Sequence, residues 1–353
     1  MTQPKDGQSS RPPGPAELAA MSDLIMPMAI RVAATLRLAD HLAAGTLTAK
    51  ALADKAAADP HALARLMNYL VARGLFEAAS DEGRGEGARG QASVARGEGA
   101  QTRFALGEAA RWLLDDAPGS ARRWLDLDGF GGHMDRAFFG LLGTVRAGGP
   151  VAVGNKTSLS PEAAASYDEL MGVRADQEGP ALANALDWGR FGQVVDIGGG
   201  TGAQLIALLN VYPDLKATLV ELPASVTAAE ERFRDANLKC DVIGGNLFEL
   251  ELPRADAFIL RYLLHSFEDE QAIDALRRCE QALVPGGSVF VLEASDTVPA
   301  VFHSMDLLML VLGHGRERTL AEYDAAAAAA GLTRTAIHVP AAGPRAVEYQ
   351  RLC

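Results

Sequence analysis

The chain has 353 residues, of which 48% are hydrophobic, and a formal net charge of −12. Its length exceeds what one ordinary hydrophobic core fills, which predicts two domains. Proteins that bind the phosphate backbone use clustered Lys and Arg, so the acidic balance argues against a nucleic-acid partner.

Targeting and metal signals are weak in this sequence. We find no stretch with the length and hydrophobicity of a membrane span, and the polar start MTQPKDGQSSRPPGP lacks the apolar core of a signal peptide. We therefore expect a cytoplasmic protein without a membrane partner. Cys240, Cys279 and Cys353 are odd in number and lack Cys-x-x-Cys spacing, which predicts neither a disulfide framework nor a metal site.

The N-terminal part of the chain predicts a disordered tail followed by a helical domain. Residues 1–15 are polar and rich in Pro, which is typical of a tail, and the domain is expected over residues 16–120. Apolar residues recur at helical spacing over residues 24–44 with few charges. Because such a helix needs partners on more than one side, it predicts a homodimer.

Two further helices precede a strand in this domain. Thr48 caps the first helix, while Asp59 caps the second with Pro60 at its first position. The strand follows at residues 75–78, and this order is typical of a winged helix. A wing is expected to contain the flexible Gly-rich insertion at residues 79–102, which has too little apolar content to order itself.

The winged-helix pattern suggests DNA binding, but its second helix offers only His61, Arg65 and Arg73 to a phosphate backbone. We therefore expect this domain to act in dimerisation or as a lid over an active site. Residues 121–180 contain helical segments that are expected to link the two domains and to form one wall of a substrate cleft.

Apolar strands alternate with helices over residues 181–353. This pattern predicts an α/β domain with a Rossmann-like, mostly parallel sheet and helices on both faces. The predicted strands are QVVDI, KATLVEL, CDVIGGN, DAFILRYLL and SVFVLEA, with a final antiparallel pair at the end of the chain. Ligands in such sheets bind beyond the carboxyl ends of the strands, so one crevice is expected to collect the polar residues found there. They are Asp196, Glu221, Asn246, His265 and Glu293.

The stretch VVDIGGGTGAQLIALL, residues 194–209, predicts a cofactor cradle. A strand stops at Asp196, and glycines then turn the chain into a helix whose N–H groups point at a negatively charged group of the ligand. Glu221 ends the next strand, where a carboxylate can accept from both hydroxyls of a ribose. The glycines with Ala203 also match the dinucleotide fingerprint, so nicotinamide and flavin sites stay open at this point. The turn glycines are Gly198, Gly200 and Gly202.

Asp196, the glycine run, Glu221 and the Pro285-Gly286-Gly287 turn together resemble the class I S-adenosylmethionine-dependent methyltransferases. Two segments make the similarity more specific: RYLLHSFEDEQAIDALRRCEQALVPGGSVFVLEA and DLLMLVLGHGRERTLAEYDAAAAAAGL. They resemble the small-molecule O-methyltransferases, which include plant caffeate and flavonoid enzymes and bacterial antibiotic-tailoring enzymes. The N-terminal segments MPMAIRVAATLRLADHL and RRWLDLDG resemble most the branch that tailors anthracycline-like aromatic polyketides. The resemblance implies a homodimer with S-adenosyl-L-methionine as cofactor and a small aromatic natural product as methyl acceptor.

Methyl transfer to a hydroxyl requires a base that removes the acceptor's proton. His265 ends a predicted strand, and the resemblance implies that it is this base, with Glu293 and Glu317 as supporting acids. A carboxylate on the far imidazole nitrogen would fix the tautomer and favour the imidazolium that forms. The alternative is that Glu293 is a surface charge at a strand end and that Glu317 pairs with a neighbouring arginine.

The resemblance also assigns the cofactor contacts. It implies that Asp196 and the first two turn glycines hold the amino-acid end of the cofactor and that Glu221 holds its ribose. Asn246 stands where the family has aspartate beside the adenine amino group, and it keeps a carbonyl acceptor without the charge. The predicted cofactor-binding residues are Asp196, Gly198, Gly200, Glu221, Asn246, Leu247 and Arg261.

The sequence departs from the family pattern at several positions, so it does not by itself specify the reaction or the methyl acceptor. The usual His-Asp-Trp is His265-Ser266-Phe267 here, and His314 replaces a glycine shortly before Glu317. Some members of the anthracycline-tailoring branch support decarboxylation or hydroxylation with the same cofactor and often lack the histidine. Retention of His265 therefore favours methylation, and a non-enzymatic winged-helix regulator is the further alternative.

Overall fold

A computed structural model gives the fold and describes residues 12–79, 102–150 and 161–352. The predicted tail and the Gly-rich insertion lie almost wholly outside these ranges. The chain divides into two compact units, residues 1–128 and 129–353. The domain boundaries expected from the sequence stay predictions.

The first unit combines helices with a three-stranded antiparallel sheet. Strand β3 lies between β1 and β2, which gives the wing that the order of elements predicted. Leu52, Met67 and Phe104 are fully buried in the core of this unit. The elements are α1 (Pro15–Met21), α2 (Ile25–Thr35), α3 (Leu38–Leu42), β1 (Leu47–Thr48), α4 (Ala49–Ala56), α5 (Pro60–Ala72), β2 (Glu77–Ala79), β3 (Arg103–Ala105), a 3-10 helix (Ala109–Leu113) and α6 (Arg122–Leu125).

Both predicted helix caps form. The Thr48 hydroxyl accepts a hydrogen bond from the Ala51 N–H at 3.2 Å, and the Asp59 carboxylate accepts from the N–H groups of His61 and Ala62 at 3.0 and 2.8 Å. These bonds satisfy N–H groups that have no partner within their own helix. The starts of α4 and α5 therefore follow from local sequence chemistry.

The single helix expected over residues 24–44 is divided in two. Helix α2 ends at Thr35, and Arg37 takes a left-handed conformation with φ of +52° before α3 begins. The Arg37 guanidinium lies 3.1 Å from the Asp40 carboxylate and 3.4 Å from that of Asp115. The Arg37 side chain is half exposed, so these ion pairs contribute little to stability. The partner Asp115 is distant in sequence.

One segment, Pro15–Thr35, is long and apolar enough to cross a membrane by length and composition, with a mean hydropathy of 1.4. This finding corrects the expectation that no stretch would meet that criterion. The sequence interpretation began the apolar region at residue 24, whereas α1 extends it towards the N-terminus. Core helices of soluble proteins and N-terminal signal sequences pass the same test, so length and composition alone do not assign a membrane span. The chain turns between α1 and α2 at residues 22–24.

The second unit is built on a seven-stranded sheet. The order of its strands is β6-β5-β4-β7-β8-β10-β9, and all neighbours are parallel except β10, which is antiparallel to β8 and β9. The elements are α7 (Phe130–Ala137), a 3-10 helix (Phe138–Gly140), α8 (Leu141–Ala147), α9 (Pro161–Ala183), a 3-10 helix (Trp188–Arg190), β4 (Gln193–Ile197), α10 (Ala203–Val211), β5 (Lys216–Glu221), α11 (Pro223–Asp235), β6 (Asp241–Gly244), β7 (Ala255–Arg261), a 3-10 helix (Leu264–Ser266), α12 (Asp269–Ala282), β8 (Leu283–Leu292), α13 (Pro299–Leu312), α14 (Leu320–Ala329), β9 (Leu332–His338) and β10 (Ala346–Arg351).

Helices cover both faces of this sheet, because alternate side chains of each strand point to opposite faces. Val195 and Phe258 pack with residues of α12 and α14, whereas Val194 and Ile259 pack with residues of α10. Burial of one such side chain contributes roughly 1.5–3 kcal/mol to the free energy of unfolding. The predicted Rossmann-like fold and its final antiparallel pair are confirmed.

The order of the strands reverses between β4 and β7, and ligands in open α/β sheets bind at such a point. Ile197 pairs with Val220 of β5 and with Leu260 of β7, so these three strands end at the same edge. One detail differs from the prediction. The Pro-Gly-Gly turn was expected before the strand SVFVLEA, whereas β8 begins at Leu283 and includes that turn. Gly286 has φ of +82°, and the register with β7 shifts there.

Candidate active site

The turn between β4 and α10 exposes bare backbone. Gly198, Gly200 and Gly202 have φ of +69°, +61° and +79°, a region that side-chain-bearing residues rarely adopt. A Cβ on Gly202 would lie 2.4 Å from the ring of Phe233, whereas a Cβ on Gly200 would have no atom within 4 Å. The turn is therefore closely packed at Gly202 and open at Gly200.

Glu221 ties the end of β5 to this turn. Its two carboxylate oxygens accept hydrogen bonds from the N–H groups of Gly200 and Leu222, both at 2.8 Å. The side chain is buried. These bonds fix a negative charge beside the open position of the glycine turn, where the sequence predicted a ribose contact.

Asp196 is a buried carboxyl group on β4. Neither of its side-chain oxygens has a hydrogen-bond partner within the described residues. Burial raises the pKa of Asp196 to about 7, with Arg261 opposing the shift and Glu221 adding to it. A buried acceptor without a donor is unfavourable, so the site suits a ligand that brings a positively charged donor.

The other predicted cofactor residues lie near this edge with partners of their own. The Asn246 side-chain oxygen accepts from the N–H of Phe248 at 3.0 Å, which makes Asn246 part of a local turn. Leu247 is buried in the core. The Arg261 guanidinium forms an ion pair with Glu178 of α9. Their roles in cofactor binding stay predictions.

His265 lies on the 3-10 helix that follows β7, and it is 8% exposed. Its Nδ1 atom is 2.9 Å from Glu317 Oε1 and 3.3 Å from Glu293 Oε2. Because both neighbours are hydrogen-bond acceptors, we assign the proton to Nδ1, which leaves Nε2 as the basic nitrogen. The structure thus brings together the three residues that the sequence predicted to be catalytic.

Glu293 also organises the backbone around the histidine. Its Oε1 atom accepts from the N–H groups of Leu263 and Leu264 at 2.9 and 2.7 Å, with that of His265 at 3.4 Å. Glu293 and Glu317 are 4% and 2% exposed. Glu293 is therefore not a surface charge, and among the described residues the Glu317 carboxylate pairs with His265 and with no neighbouring arginine.

The electrostatics of this cluster favour the imidazolium form. Burial lowers the pKa of His265, but the neighbouring Glu293 and Glu317 carboxylates outweigh burial and leave it raised above 6.5, against a smaller opposing effect of Arg174. Burial also raises the pKa of Glu293, with the histidine opposing that shift and Glu317 adding to it. A proton that arrives on this imidazole is therefore stabilised.

The same three side chains also have a spacing that a metal ion can use. One ligand atom from each of His265, Glu293 and Glu317 lies within 4.8 Å of the others. Metal binding would require Nδ1 to give up the proton that it shares with Glu317. The prediction that this site uses no metal stays a prediction.

Sequence reasoning missed a group of polar residues from α9 that contacts this edge. The Tyr262 hydroxyl accepts from Arg174 at 2.7 Å, and Arg174 also lies 3.1 Å from Glu178. Tyr262 has φ of +49°, and its ring centre is 6.1 Å from that of His265. The signal available in the sequence was the spacing of Arg174 and Glu178, which places opposite charges four residues apart on one helix.

A glycine turn and a buried carboxyl group lie at the same sheet edge as a buried histidine with two carboxylates, an arrangement that suits a group-transfer enzyme. An O-methyltransferase domain family matches residues 148–333, and an O-methyltransferase dimerisation domain family matches residues 18–116. The chain belongs to the O-methyltransferase family.

Individual relatives agree with this membership. The 2,7-dihydroxy-5-methyl-1-naphthoate 7-O-methyltransferase of Streptomyces carzinostaticus is 38% identical over 330 residues, which cover 91% of this chain and 93% of that protein. Aclacinomycin 10-hydroxylase RdmB of Streptomyces purpurascens is 37% identical over 326 residues, or 88% and 82% of the two chains. The crystal structure of the O-methyltransferase NcsB1 from neocarzinostatin biosynthesis, in complex with S-adenosyl-L-homocysteine and 1,4-dihydroxy-2-naphthoic acid, gives a TM-score of 0.82. It is 36% identical and covers 96% of this chain and 100% of its own.

Proposed function

We propose that the protein transfers a methyl group from S-adenosyl-L-methionine to a hydroxyl of a small aromatic, polyketide-like natural product. The observation that carries this proposal is the buried His265, whose Nδ1 faces two carboxylates at the carboxyl edge of the sheet. The naphthoate 7-O-methyltransferase supports the acceptor class, because it resembles this chain over 93% of its own length.

The residues of the cradle fit this cofactor. Asp196 offers a buried carboxyl group without a donor among the described residues, which suits the cationic amino group at the amino-acid end of the cofactor. The backbone at Gly198 and Gly200 would border the same end, and Glu221, which accepts from the Gly200 N–H, would accept from the ribose hydroxyls. Asn246 and Leu247 would border the adenine, with Arg261 nearby. When bound, the cofactor supplies an electrophilic methyl group on a positively charged sulfur.

His265 would remove the proton of the acceptor hydroxyl through Nε2. A phenol has a pKa near 10 and an imidazole one near 6.5, so complete transfer of the proton costs about 5 kcal/mol. The raised pKa of His265 lowers that cost. Glu317 and Glu293 hold the ring in one tautomer, and burial of the three groups excludes water from their contacts.

The similarity to aclacinomycin 10-hydroxylase favours a second candidate. In that case the chain binds the same cofactor and supports hydroxylation or decarboxylation of a polyketide. The buried histidine with its two carboxylates favours methyl transfer, because removal of a hydroxyl proton is the task that such a base performs. Membership of an enzyme family argues against the non-enzymatic regulator.

A homodimer is the assembly that the first unit supports. The match to a dimerisation domain spans residues 18–116, and α1 and α2 with the turn between them present large apolar side chains to solvent. These are Leu18, Met21, Leu24, Ile25 and Met28, which are between 38% and 74% exposed. A second copy of the chain is the partner that would cover them. The cytoplasmic location expected from the sequence stays a prediction.

The proposal is tested with methyl-labelled S-adenosylmethionine and a panel of hydroxynaphthoates and other polyketide phenols. We expect label in a methylated product of the wild-type enzyme. His265→Ala should lower kcat by roughly 10²–10⁴-fold with little change in cofactor affinity, because the general base is lost. Glu221→Ala should show the reverse pattern, with weaker cofactor binding by calorimetry.

Two results would contradict the assignment. A rate for His265→Ala within a few-fold of wild type would remove the histidine from the mechanism. A hydroxylated or decarboxylated product without label, formed by a protein that binds the cofactor tightly, would establish the second candidate instead.

A further inference from the structure

Arg318 is a buried guanidinium, with a side chain only 2% exposed, between Glu317 and the start of α14. Its Nη1 donates to the carbonyl of Leu264 at 2.9 Å, and its Nη2 donates to the carbonyl of Phe267 at 2.8 Å. Its Nε and Nη2 also bond to Asp269 Oδ1 at 3.0 and 2.8 Å. A buried charge is unfavourable unless it is paired and hydrogen-bonded, and Arg318 meets both conditions.

The two carbonyls bracket the residue that acts as the base. Leu264 immediately precedes His265, and Phe267 follows it by two residues, so the guanidinium bridges the turn that carries the imidazole. The Leu264 carbonyl already accepts from the Phe267 N–H at 3.1 Å, and Arg318 adds a second donor to it. The Phe267 carbonyl, just beyond the 3-10 helix, accepts from the other Nη of the same guanidinium. One side chain thereby fixes both ends of this turn.

The backbone of Arg318 continues directly from Glu317, the other partner of the histidine. The two segments also touch through Gly315, where a Cβ would lie 2.0 Å from the His265 carbonyl oxygen and 2.7 Å from the Ser266 carbonyl carbon. Arg318 therefore joins the segment that carries the Glu317 carboxylate to the turn that carries the imidazole. The distance between His265 Nδ1 and Glu317 Oε1, 2.9 Å, depends on how these two segments are held.

We propose that Arg318 is a positioning residue for methyl transfer, which clamps the His265 turn against the Glu317 segment and so fixes the contact between base and carboxylate. The inference rests on the proposed function, in which His265 removes the acceptor's proton. A planar guanidinium reaches two carbonyls and a carboxylate at once, whereas a lysine ammonium is a single point of charge on a flexible stem. Arg318→Lys therefore keeps the positive charge and loses the clamp, by which we mean the simultaneous bonds to the Leu264 and Phe267 carbonyls.

Arg316 provides a matched control two residues away. Its side chain is 40% exposed and pairs with Asp269 at 3.0 Å and with Glu322 at 2.7 Å. Across the part of the chain that the structure describes, it donates to no carbonyl of the His265 turn. Arg316→Lys changes the same residue type and disturbs the same Asp269 without removing the clamp.

The kinetic experiment uses the full-length enzyme with S-adenosylmethionine and an accepted phenol. We expect Arg318→Lys to lower kcat by about 10²-fold, since displacement of a catalytic group by about 1 Å has effects of that order. The dissociation constant of the cofactor should stay within about twofold of wild type, and Arg316→Lys should keep kcat within about threefold. An equal loss of kcat in both variants would overturn the proposal.

A second measurement separates positioning from a merely structural role and does not need methyl transfer. The His265 ring is titrated by NMR in histidine-labelled protein, with His265→Gln to assign its signal. We expect Arg318→Lys to lower the pKa of His265 towards 6.5, because the ring loses part of its contact with the carboxylates. Arg316→Lys should leave it unchanged.

These two experiments distinguish failure of the Arg318 proposal from failure of the proposed function. A wild-type protein that transfers no methyl group refutes that function, whereas the titration still reports on the clamp. An Arg318→Lys variant with wild-type kcat, or with a lower melting temperature and an unmoved His265 titration, would refute the clamp. Retained cofactor binding shows that the variant is folded.

Discussion

Asp196 and His265 are buried titratable side chains whose pKa values are raised by different causes. At Asp196, burial of a carboxyl group without a hydrogen-bond donor in the described residues raises the pKa to about 7. At His265, burial acts in the opposite direction, and the carboxylates of Glu293 and Glu317 outweigh it. A cation beside Asp196 would stabilise its charged form and so reverse the first shift, whereas the second shift stabilises a proton on the His265 ring.

The raised pKa of Asp196 predicts that cofactor binding depends on pH. The cationic amino group needs a charged carboxylate, and below pH 7 binding must release the proton that Asp196 holds in the free protein. Affinity should therefore rise by up to about tenfold per pH unit as pH approaches 7 and level off above it. Calorimetry with S-adenosylhomocysteine, which carries the same amino group, measures this profile.

Two variants serve as controls for that profile. Asp196→Asn removes the titrating group, so its affinity should be lower and its pH dependence nearly flat over the same range. His265→Gln keeps Asp196 and should keep the wild-type profile. A flat wild-type profile would show that Asp196 does not bind the amino group through its charge.

The residues of the site differ in how far the sequence could predict them. His265 and Glu317 are 52 positions apart, so no local spacing joins them, and their pairing was predicted only through family resemblance. Arg318 was missed as a contributor because a lone arginine beside an acid looks like a solvated ion pair. Its burial depends on how the Glu317 segment packs on the His265 turn, which no local pattern specifies.

At the scale of elements, the turn from β4 to α10 combines two demands on its glycines. All three turn glycines have positive φ, but they differ in the space beside them. Gly202 is packed against Phe233 of α11, whereas Gly200 borders open space. Backbone conformation and packing can therefore be separated experimentally within one turn.

This difference predicts unequal losses of stability for alanine at the two positions. Gly200→Ala requires only a left-handed alanine, which costs about 1–2 kcal/mol. Gly202→Ala has the same conformational cost and also places its Cβ 2.4 Å from the Phe233 ring, so its free energy of unfolding should fall by about 1–3 kcal/mol more. Urea unfolding without cofactor provides the measurement, and equal losses would show that the Phe233 ring moves aside freely.

The elements were predictable where the chemistry that specifies them is local. The alternating strands and helices of the second unit and the caps at Thr48 and Asp59 follow from patterns a few residues long. The break between α2 and α3 was not predictable in the same way. It places Arg37 within reach of Asp115, 78 positions along the chain, and that contact exists only in the folded unit.

At the scale of the whole molecule, the apolar surface of the first unit is the main feature that a single copy leaves unexplained. Met21 is 74% exposed and Ile25 is 64% exposed, although large apolar side chains at neighbouring positions normally find a partner. The excess of acidic residues, with a net charge of −12, makes non-specific association of copies unfavourable. Apolar burial at a defined surface is therefore the force that would hold a dimer together.

A dimer held by this surface should dissociate when charges are placed in it. We expect the double variant Met21→Glu with Ile25→Glu to raise the dimer dissociation constant by at least about 10²-fold. Full burial of each side chain is worth roughly 1.5–3 kcal/mol, and each 1.4 kcal/mol is tenfold in affinity. Val339→Glu is the control, because Val339 is 79% exposed and lies outside the dimerisation-domain match. Sedimentation equilibrium distinguishes the outcomes. A double variant as dimeric as wild type would place the interface on another surface, whereas dissociation of the control as well would indicate a general effect of added charge.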